Sequence, residues 1–419
     1  NGGFGSEPKF PNASILRFVN HLYRTSREEF YAAMLTKTLD GMSGGQVWDN
    51  SDGGFFRHCA QADWGQPQLE KMVEDNLGLA REYLDAGILL DRSRYRETAR
   101  RIINYMMEQL YDPAVPGFRG SQGAHSDYFA LSSDQRTDEA QPAPDPSCYV
   151  NSNGLAVTVL LDAAWKLGDS TLQTTALQVL ERLDSMAQTG SFSHVYSEQG
   201  PLDAPALFTD WAWLLTALMQ AHGNTANESY LERAVAVAQI MMERFFDQDG
   251  GGFYDIEEQS EAIGHLQIRE KTLIDNTVAA QALVRLHQST RNEDYRQVAE
   301  AALSVFVDTF REQGEFAADY GLAVHLLKND MVEVTVEGRP DDPGCQELLA
   351  AAFRLSQPNL DIKTVLAADG DNIARAHVCL DTVCLPPVDS PAELADAVAG
   401  LTQQQENPFQ DIFQVFPGN

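Results

Sequence analysis

Cysteine is scarce in this chain: five among 419 residues, at Cys59, Cys148, Cys345, Cys379 and Cys384. So sparse and odd a set does not make a disulfide framework. Only Cys379 and Cys384 stand close together, and they lack the second pair or histidine partners of a zinc site, so no metal is expected. Basic residues are also few, with Lys plus Arg at 30 against 61 Asp plus Glu and a formal charge of −31. Such a surface repels phosphate backbones and anionic lipid, which argues against nucleic acid or a membrane as partner. No apolar run approaches the roughly 20 residues that span a bilayer, so a soluble chain is expected. Phosphate loops, metal-ligand spacings and a Ser-His-Asp order are missing too, and no cofactor is implied. No basic, apolar leader stands at the start. The chain opens inside a motif, Asn1-Gly2-Gly3-Phe4-Gly5. From that opening, loss of upstream residues is the expectation, with the cytoplasm as compartment.

What is present is a repeat of helix pairs with a period of about 60 residues. Glycine-aromatic stretches mark it: Gly2-Gly3-Phe4-Gly5, Gly53-Gly54-Phe55-Phe56, Pro116-Gly117-Phe118, Gly190-Ser191-Phe192, Gly251-Gly252-Phe253-Tyr254 and Gly314-Glu315-Phe316. After each comes an apolar-striped helix, starting near Asn12, Glu70, Asn153, Thr209, Asp275 and Asp319. The stretch Asp210–Leu218 is apolar nearly all round, which belongs inside. The partner helices, such as Tyr295–Ala302, are more polar. That alternation predicts an inner and an outer ring, hence an all-α (α/α)6 toroid over residues 1–330 with its first outer helix missing upstream. An open α-solenoid or stacked bundles are the alternatives. From about Met331 the pattern changes to strands, Val332–Val336, Ile362–Leu366 and Ala376–Leu380, with helices near Gln346–Leu355 and after Ser390-Pro391. Residues 331–419 are therefore expected to form a small C-terminal α/β appendage, ending in a polar, loop-like Gln403–Asn419.

If inner helices all start from the long connections, their N-termini share one end, where partial positive charge gathers. Polar residues at those starts are the candidate site: Glu70, Lys71, Asp75, Asn76, Asn151, Asn153, Asp210, Arg269, Glu270, Lys271, Asp275, Asn276 and Asp319. Helix capping is the competing reading for Asn151, Asn153 and Asp319. Asp75, Asp210 and Asp275 are equally readable as hydrogen-bonded structure or as ligand contacts. Arg57, His58, Trp64 and Tyr254 add a base, an imidazole and aromatic faces suited to a sugar or polar metabolite. Glu70, Asp75, Asp210 and His58 are the catalytic candidates, since paired carboxylates or an imidazole supply acid and base. His194 and His265 lie in connections and are candidates for moving protons, whereas His222, His287 and His325 sit in helices.

At this point the motifs resemble a family. Gly2–Pro11 is similar to the GGFGxxPKFP of the YyaL-like thioredoxin-domain-containing proteins, related to animal spermatogenesis-associated protein 20. The run from Gly53 through Asp63-Trp64, Pro67, Glu70-Lys71-Met72 and Asp75-Asn76 resembles their GGGFHRY…PHFEKMLYDNA block. Asn153-Gly154-Leu155 resembles WNGL, Asp210-Trp211-Ala212 resembles EDYA, and Arg269–Asn276 resembles the segment that ends in PSGN. Cys379 and Cys384 with Leu385–Val388 resemble a C-terminal two-cysteine motif. Gln68, His58, Ser152 and Leu273-Ile274 depart from the pattern and mark a divergent branch. The resemblance implies an (α/α)6 barrel like those of N-acylglucosamine 2-epimerase and six-hairpin glycosidases, with a thioredoxin-like domain as partner. Two functions compete on it. One is an enzyme acting on a carbohydrate or polyol as epimerase, isomerase or hydrolase. The other is a non-catalytic binding or scaffold module, toward which the lost histidine at Gln68 leans.

Overall fold

The structure, a computed structural model, describes residues 1–258, 268–339, 342–355, 357, 359–365, 374–380 and 382–402. Its α-helices are α1 (Ala13–Ser26), α2 (Glu29–Gly44), α3 (Val73–Leu89), α4 (Ser93–Tyr105), α5 (Ser126–Phe129), α6 (Ser133–Arg136), α7 (Val150–Leu167), α8 (Ser170–Gln188), α9 (Phe208–Thr225), α10 (Glu228–Arg244), α11 (Leu273–Thr290), α12 (Glu293–Ser304), α13 (Ala318–Lys328), α14 (Pro343–Leu355) and α15 (Pro391–Thr402). Two compact units form: residues 1–217 with 313–318, and residues 218–312 with the described residues from 319 onward.

In the first unit, α1, α3 and α7 lie side by side, and each carries its own partner, α2, α4 or α8. The burial pattern explains the order. Helix α7 buries Val150, Ala156, Val157, Val159, Leu160, Leu161, Ala163 and Ala164, so it needs neighbours on most sides. Helix α4 buries only a stripe, Tyr95, Ala99, Ile102, Ile103 and Tyr105, and serves as the amphipathic outer partner. The helix starts differ in kind as well. Outer α8, α10 and α12 are capped by Asp169, Asn227 and Asn292 through their own side chains. Inner α3 and α7 follow two-residue strands and have no side-chain cap. Asn151 and Asn153 therefore do not cap, contrary to that reading of them.

In the second unit, α11 packs on α12 and α10 on α11. The Val332–Glu337 strand is central in a four-stranded sheet. It runs parallel to Leu360–Val365 and antiparallel to Arg375–Leu380, which pairs in turn with Val383–Cys384. Alternate residues Val332, Val334 and Val336 are buried, as period-two spacing demands. Helices α14 and α15 pack on this sheet. Ser390 Oγ accepts from the Glu393 amide and so starts α15 as expected. One disulfide, Cys379–Cys384, joins the last two strands, a single bridge rather than a framework. Leu366 and Gln403–Asn419 lie outside the described residues.

Candidate active site

The glycine-aromatic stretches are held by asparagines. Asn76 Oδ1 accepts from the Phe55 amide at 2.7 Å, and its Nδ2 donates to Phe55 O at 3.0 Å and Met72 O at 2.8 Å. Asn153 does the same with Phe118 and Tyr149 O, and Asn276 with Phe253 and Thr272 O. All three asparagines are fully buried. Lysines lock the same turns: Lys71 Nζ reaches Asp49 at 2.8 Å and Gly53 O at 2.7 Å. Lys271 repeats the contact with Asp247 at 2.7 Å and Gly251 O at 2.5 Å. Gly54 has φ +77°, and a Cβ there would stand 2.7 Å from the Tyr105 ring, so the turn requires glycine.

This wiring corrects four expected substrate contacts. Lys71, Asn76, Asn153 and Asn276 are scaffold, because their polar atoms are spent on backbone and buried carboxylate. Trp64 needs the same correction: it is 1% exposed, donates to Asn1 O at 3.1 Å, and is covered by Lys9. Its ring offers no face to a sugar. We expect Asn76→Ala to cost roughly 2–4 kcal/mol, because the Phe55 N–H and C=O would be left buried and unpaired. Urea denaturation followed by circular dichroism measures this, and a loss below about 1 kcal/mol would refute the clamp.

Against this shared frame one carboxyl stands out. Glu70-Lys71-Met72-Val73-Glu74-Asp75-Asn76 and Glu270-Lys271-Thr272-Leu273-Ile274-Asp275-Asn276 share the pattern E-K-x-x-x-D-N. In the second copy, Thr272 Oγ donates to Asp275 at 2.6 Å and accepts from its amide at 3.3 Å, so Asp275 is spent on the helix start. In the first copy Met72 stands in place of that threonine. Asp75 has no hydrogen bond or ion pair among the described residues. Burial, with Glu74 adding to it, pushes its pKa up to about 7.

The neighbouring helix starts supply an imidazole. His194 Nδ1 lies 3.0 Å from both carboxylate oxygens of Asp210. Asp210 is fully buried and also accepts from the Leu207 amide at 2.8 Å and the Asn151 amide at 3.1 Å. Burial pushes the Asp210 pKa up, against the pull of His194 and these two amides. The bond to Asp210 raises the imidazole above its ordinary value, with burial opposing. The His194 side chain remains 23% exposed. With Nδ1–H donated to Asp210, Nε2 is the nitrogen left for a substrate proton. Glu74, exposed at the α3 start, accepts from Ser152 Oγ at the α7 start. The helix starts of α3, α7 and α9 thus share one chain of contacts: Glu74, Ser152, Asn151, Asp210, His194.

Arg57 pairs with Glu70 at 3.1 Å, a partly exposed ion pair. His58 stacks on Phe10 at 4.7 Å. In the second unit, Tyr254 donates to Asp247 at 3.1 Å and carries the Arg269 guanidinium 3.8 Å above its ring. The Glu270 amide donates to Asp255 at 2.8 Å. His265 lies outside the described residues. Sequence reasoning did not place Glu74 or Ser152 in the site, naming Ser152 only as a departure from the family pattern, nor did it join His194 to Asp210. Aligning the two E-K-x-x-x-D-N segments and noting Met72 against Thr272 would have marked Asp75. Among the described residues, no three His, Cys, Asp or Glu side chains are placed to hold a metal ion.

Known proteins share parts of this chain. Residues 118–321 match glycosyl hydrolase family 76. Human spermatogenesis-associated protein 20 is 22% identical over 94% of this chain and 66% of its own length. The chain resembles the helical portion of the spermatogenesis-associated protein 20 family. It spans about two thirds of that relative's length. A D-mannose isomerase structure aligns at TM-score 0.59 and 12% identity, covering 73% of this chain and 80% of that one. Cellobiose 2-epimerase from Bacillus thermoamylovorans aligns at TM-score 0.59 and 11% identity, covering 74% and 81%. At these identities the likeness shows the fold alone, an (α/α)6 toroid that carbohydrate-active proteins also use. No helix among the described residues is long and apolar enough to cross a membrane.

Proposed function

We propose that the chain is an enzyme acting on a neutral sugar or polyol, of epimerase, isomerase or hydrolase type, at the N-terminal ends of α3, α7 and α9. We assign the toroid to residues 1–330 and the appendage to 331–419. The observation that carries the reading is the His194–Asp210 dyad, a partly exposed imidazole fixed by a buried carboxylate. In this role His194 Nε2 takes the substrate proton and Asp210 stabilises the imidazolium that forms. Asp75, protonated near neutrality, is the matching acid for a carbonyl or leaving-group oxygen. Glu74, Ser152 and the Arg57–Glu70 pair supply hydrogen bonds to hydroxyls. The net charge of −31 disfavours phosphorylated or carboxylated substrates, which supports a sugar or polyol without anionic groups. Family 76 and the sugar isomerase and epimerase neighbours support the substrate class by analogy of fold.

A thermal-shift screen of neutral sugars and polyols, with sugar phosphates as the counter-set, tests the substrate class. Turnover of the hits is then followed by NMR. We expect His194→Gln to lower turnover by roughly 10²–10⁴-fold. Asp210→Asn is expected to move the pH limb governed by His194 to lower pH, because it removes the charge that raises the imidazole. Hits confined to phosphorylated sugars, or turnover indifferent to His194→Gln, would overturn the proposal.

A further inference from the structure

We propose that Cys379–Cys384 is a reversible thiol–disulfide exchange site whose outer sulfur, on Cys384, is attacked by an external dithiol. The bridge joins residues directly opposite each other on adjacent antiparallel strands. The Val383–Cys384 strand is the edge of its sheet, and among the described residues no strand pairs with its outer side. Cys384 is exposed, as are its neighbours Thr382, Val383, Pro386 and Pro387. Cys379 is only partly exposed. One sulfur is thus reachable, and the other is set into the sheet as the leaving group.

The other cysteines do not compete. Cys59, Cys148 and Cys345 are buried thiols. Burial pushes Cys59 up to about 11 and Cys148 up to about 12, and raises Cys345 as well. Thiols held in that state are poor nucleophiles.

The bridge is also poorly placed as a staple. It closes a loop of sequence separation 5, and the gain from a cross-link falls as the loop shortens. The strands it joins are already held by other means. The Leu385 amide bonds Val378 O at 2.9 Å, and Ala376 pairs with Val388. Leu394, Val398 and Leu401 of α15 are buried beyond it. A bond the fold does not depend on, with one sulfur in solvent, suits reversible cleavage.

A thiolate of the dithiol attacks Cys384 Sγ, forming a mixed disulfide. The Cys379–Cys384 bond breaks, and its electron pair leaves on Cys379, which takes up a proton. The second thiol of the reductant loses its proton and attacks the reductant's own sulfur in the mixed disulfide. This releases Cys384 as a thiolate, which is protonated. Two electrons and two protons pass from the dithiol to the pair, and the dithiol becomes a disulfide.

The test uses the full chain under native conditions. A reduced protein dithiol, thioredoxin regenerated by its reductase, is compared with the monothiol glutathione at equal thiol concentration. Acid quenching, alkylation and peptide mass mapping follow each cysteine. We expect reduction of Cys379–Cys384 to be at least about tenfold faster with the protein dithiol, with Cys59, Cys148 and Cys345 read as free thiols at every time point. We also expect a resolving-cysteine variant of thioredoxin to be trapped on Cys384. The chain carrying Cys379→Ser and Cys384→Ser together should fold, with its melting temperature within a few degrees of the parent. Four results would each overturn the proposal: reduction only in denaturant, equal rates with both thiols, trapping on Cys379, or failure of the double variant to fold.

Discussion

Replacing Asp75 with asparagine should stabilise the folded chain at pH 8 and sharply lower the turnover proposed for it. The carboxyl has no hydrogen bond among the described residues, and burial holds its pKa up at about 7 against the pull of Arg57. Its ordinary value is 3.8, so between pH 4 and 7 the folded chain binds more protons than the unfolded one. Stability therefore falls as pH rises through that window, and the full cost is present above it. An asparagine side chain never ionises and escapes this cost. The variant should gain about 1–3 kcal/mol at pH 8 and almost nothing at pH 4, as measured by urea titrations at both pH values. In the same variant, turnover of a sugar hit should drop by roughly 10²–10⁴-fold, because the acid is gone. A gain in stability joined to a loss of activity marks a functional residue rather than a scaffold one. A variant that is less stable at pH 8, or equally changed at both pH values, would show that Asp75 has a structural partner after all.

Lys166→Met should have the largest effect on folding. Lys166 Nζ lies against Asp162 at 2.6 Å and also bonds Asp85, near the ends of α7 and α3 away from the site. Its side chain is 2% exposed, and Asp85 and Asp162 are 15% and 20% exposed. Nearby, Glu82 is fully buried and is met by Asn20 at 2.9 Å and Arg81 at 3.1 Å. Burial works to lower the lysine, but the two aspartates together raise it above its ordinary value. Removing the ammonium leaves the sheltered Asp162 and Asp85 side by side, with only Arg24 and Arg81 nearby to offset their charge. The expected loss is about 3–5 kcal/mol at pH 7. At pH 4 or below the loss should shrink as the two carboxyls take up protons. Adding Asp162→Asn to Lys166→Met should recover part of it. A loss below about 1 kcal/mol, or one unchanged by pH, would mean that solvent reaches the three charges freely.

Much of the architecture was legible in the residues. The expected inner-helix starts at Asn12, Glu70, Asn153, Thr209, Asp275 and Asp319 fall within three residues of α1, α3, α7, α9, α11 and α13. Apolar periodicity is a local property, and it survives folding because burial is what it encodes. The strands of the appendage were readable for the same reason, at period two. The site was legible only in part. Asn76 and Asn153 look alike whether they hold a backbone or a sugar, because an amide serves both. Lys71 and Trp64 read as rim residues and are buried, since sequence does not say which way a side chain turns at a helix start. The tail cysteines read as a pair without a purpose until the strand register set them opposite each other.

By itself, then, the sequence determined the helical hairpins, the change to strands near Met331, and a net charge of −31. These follow from composition and spacing, which each residue carries wherever the chain goes. Only the tertiary structure decided that His194 meets Asp210, that Ser152 meets Glu74, and that the Asp75 carboxyl has no hydrogen bond among the described residues. Those outcomes depend on residues far apart in the chain arriving together, and on which buried polar groups find a partner when they do.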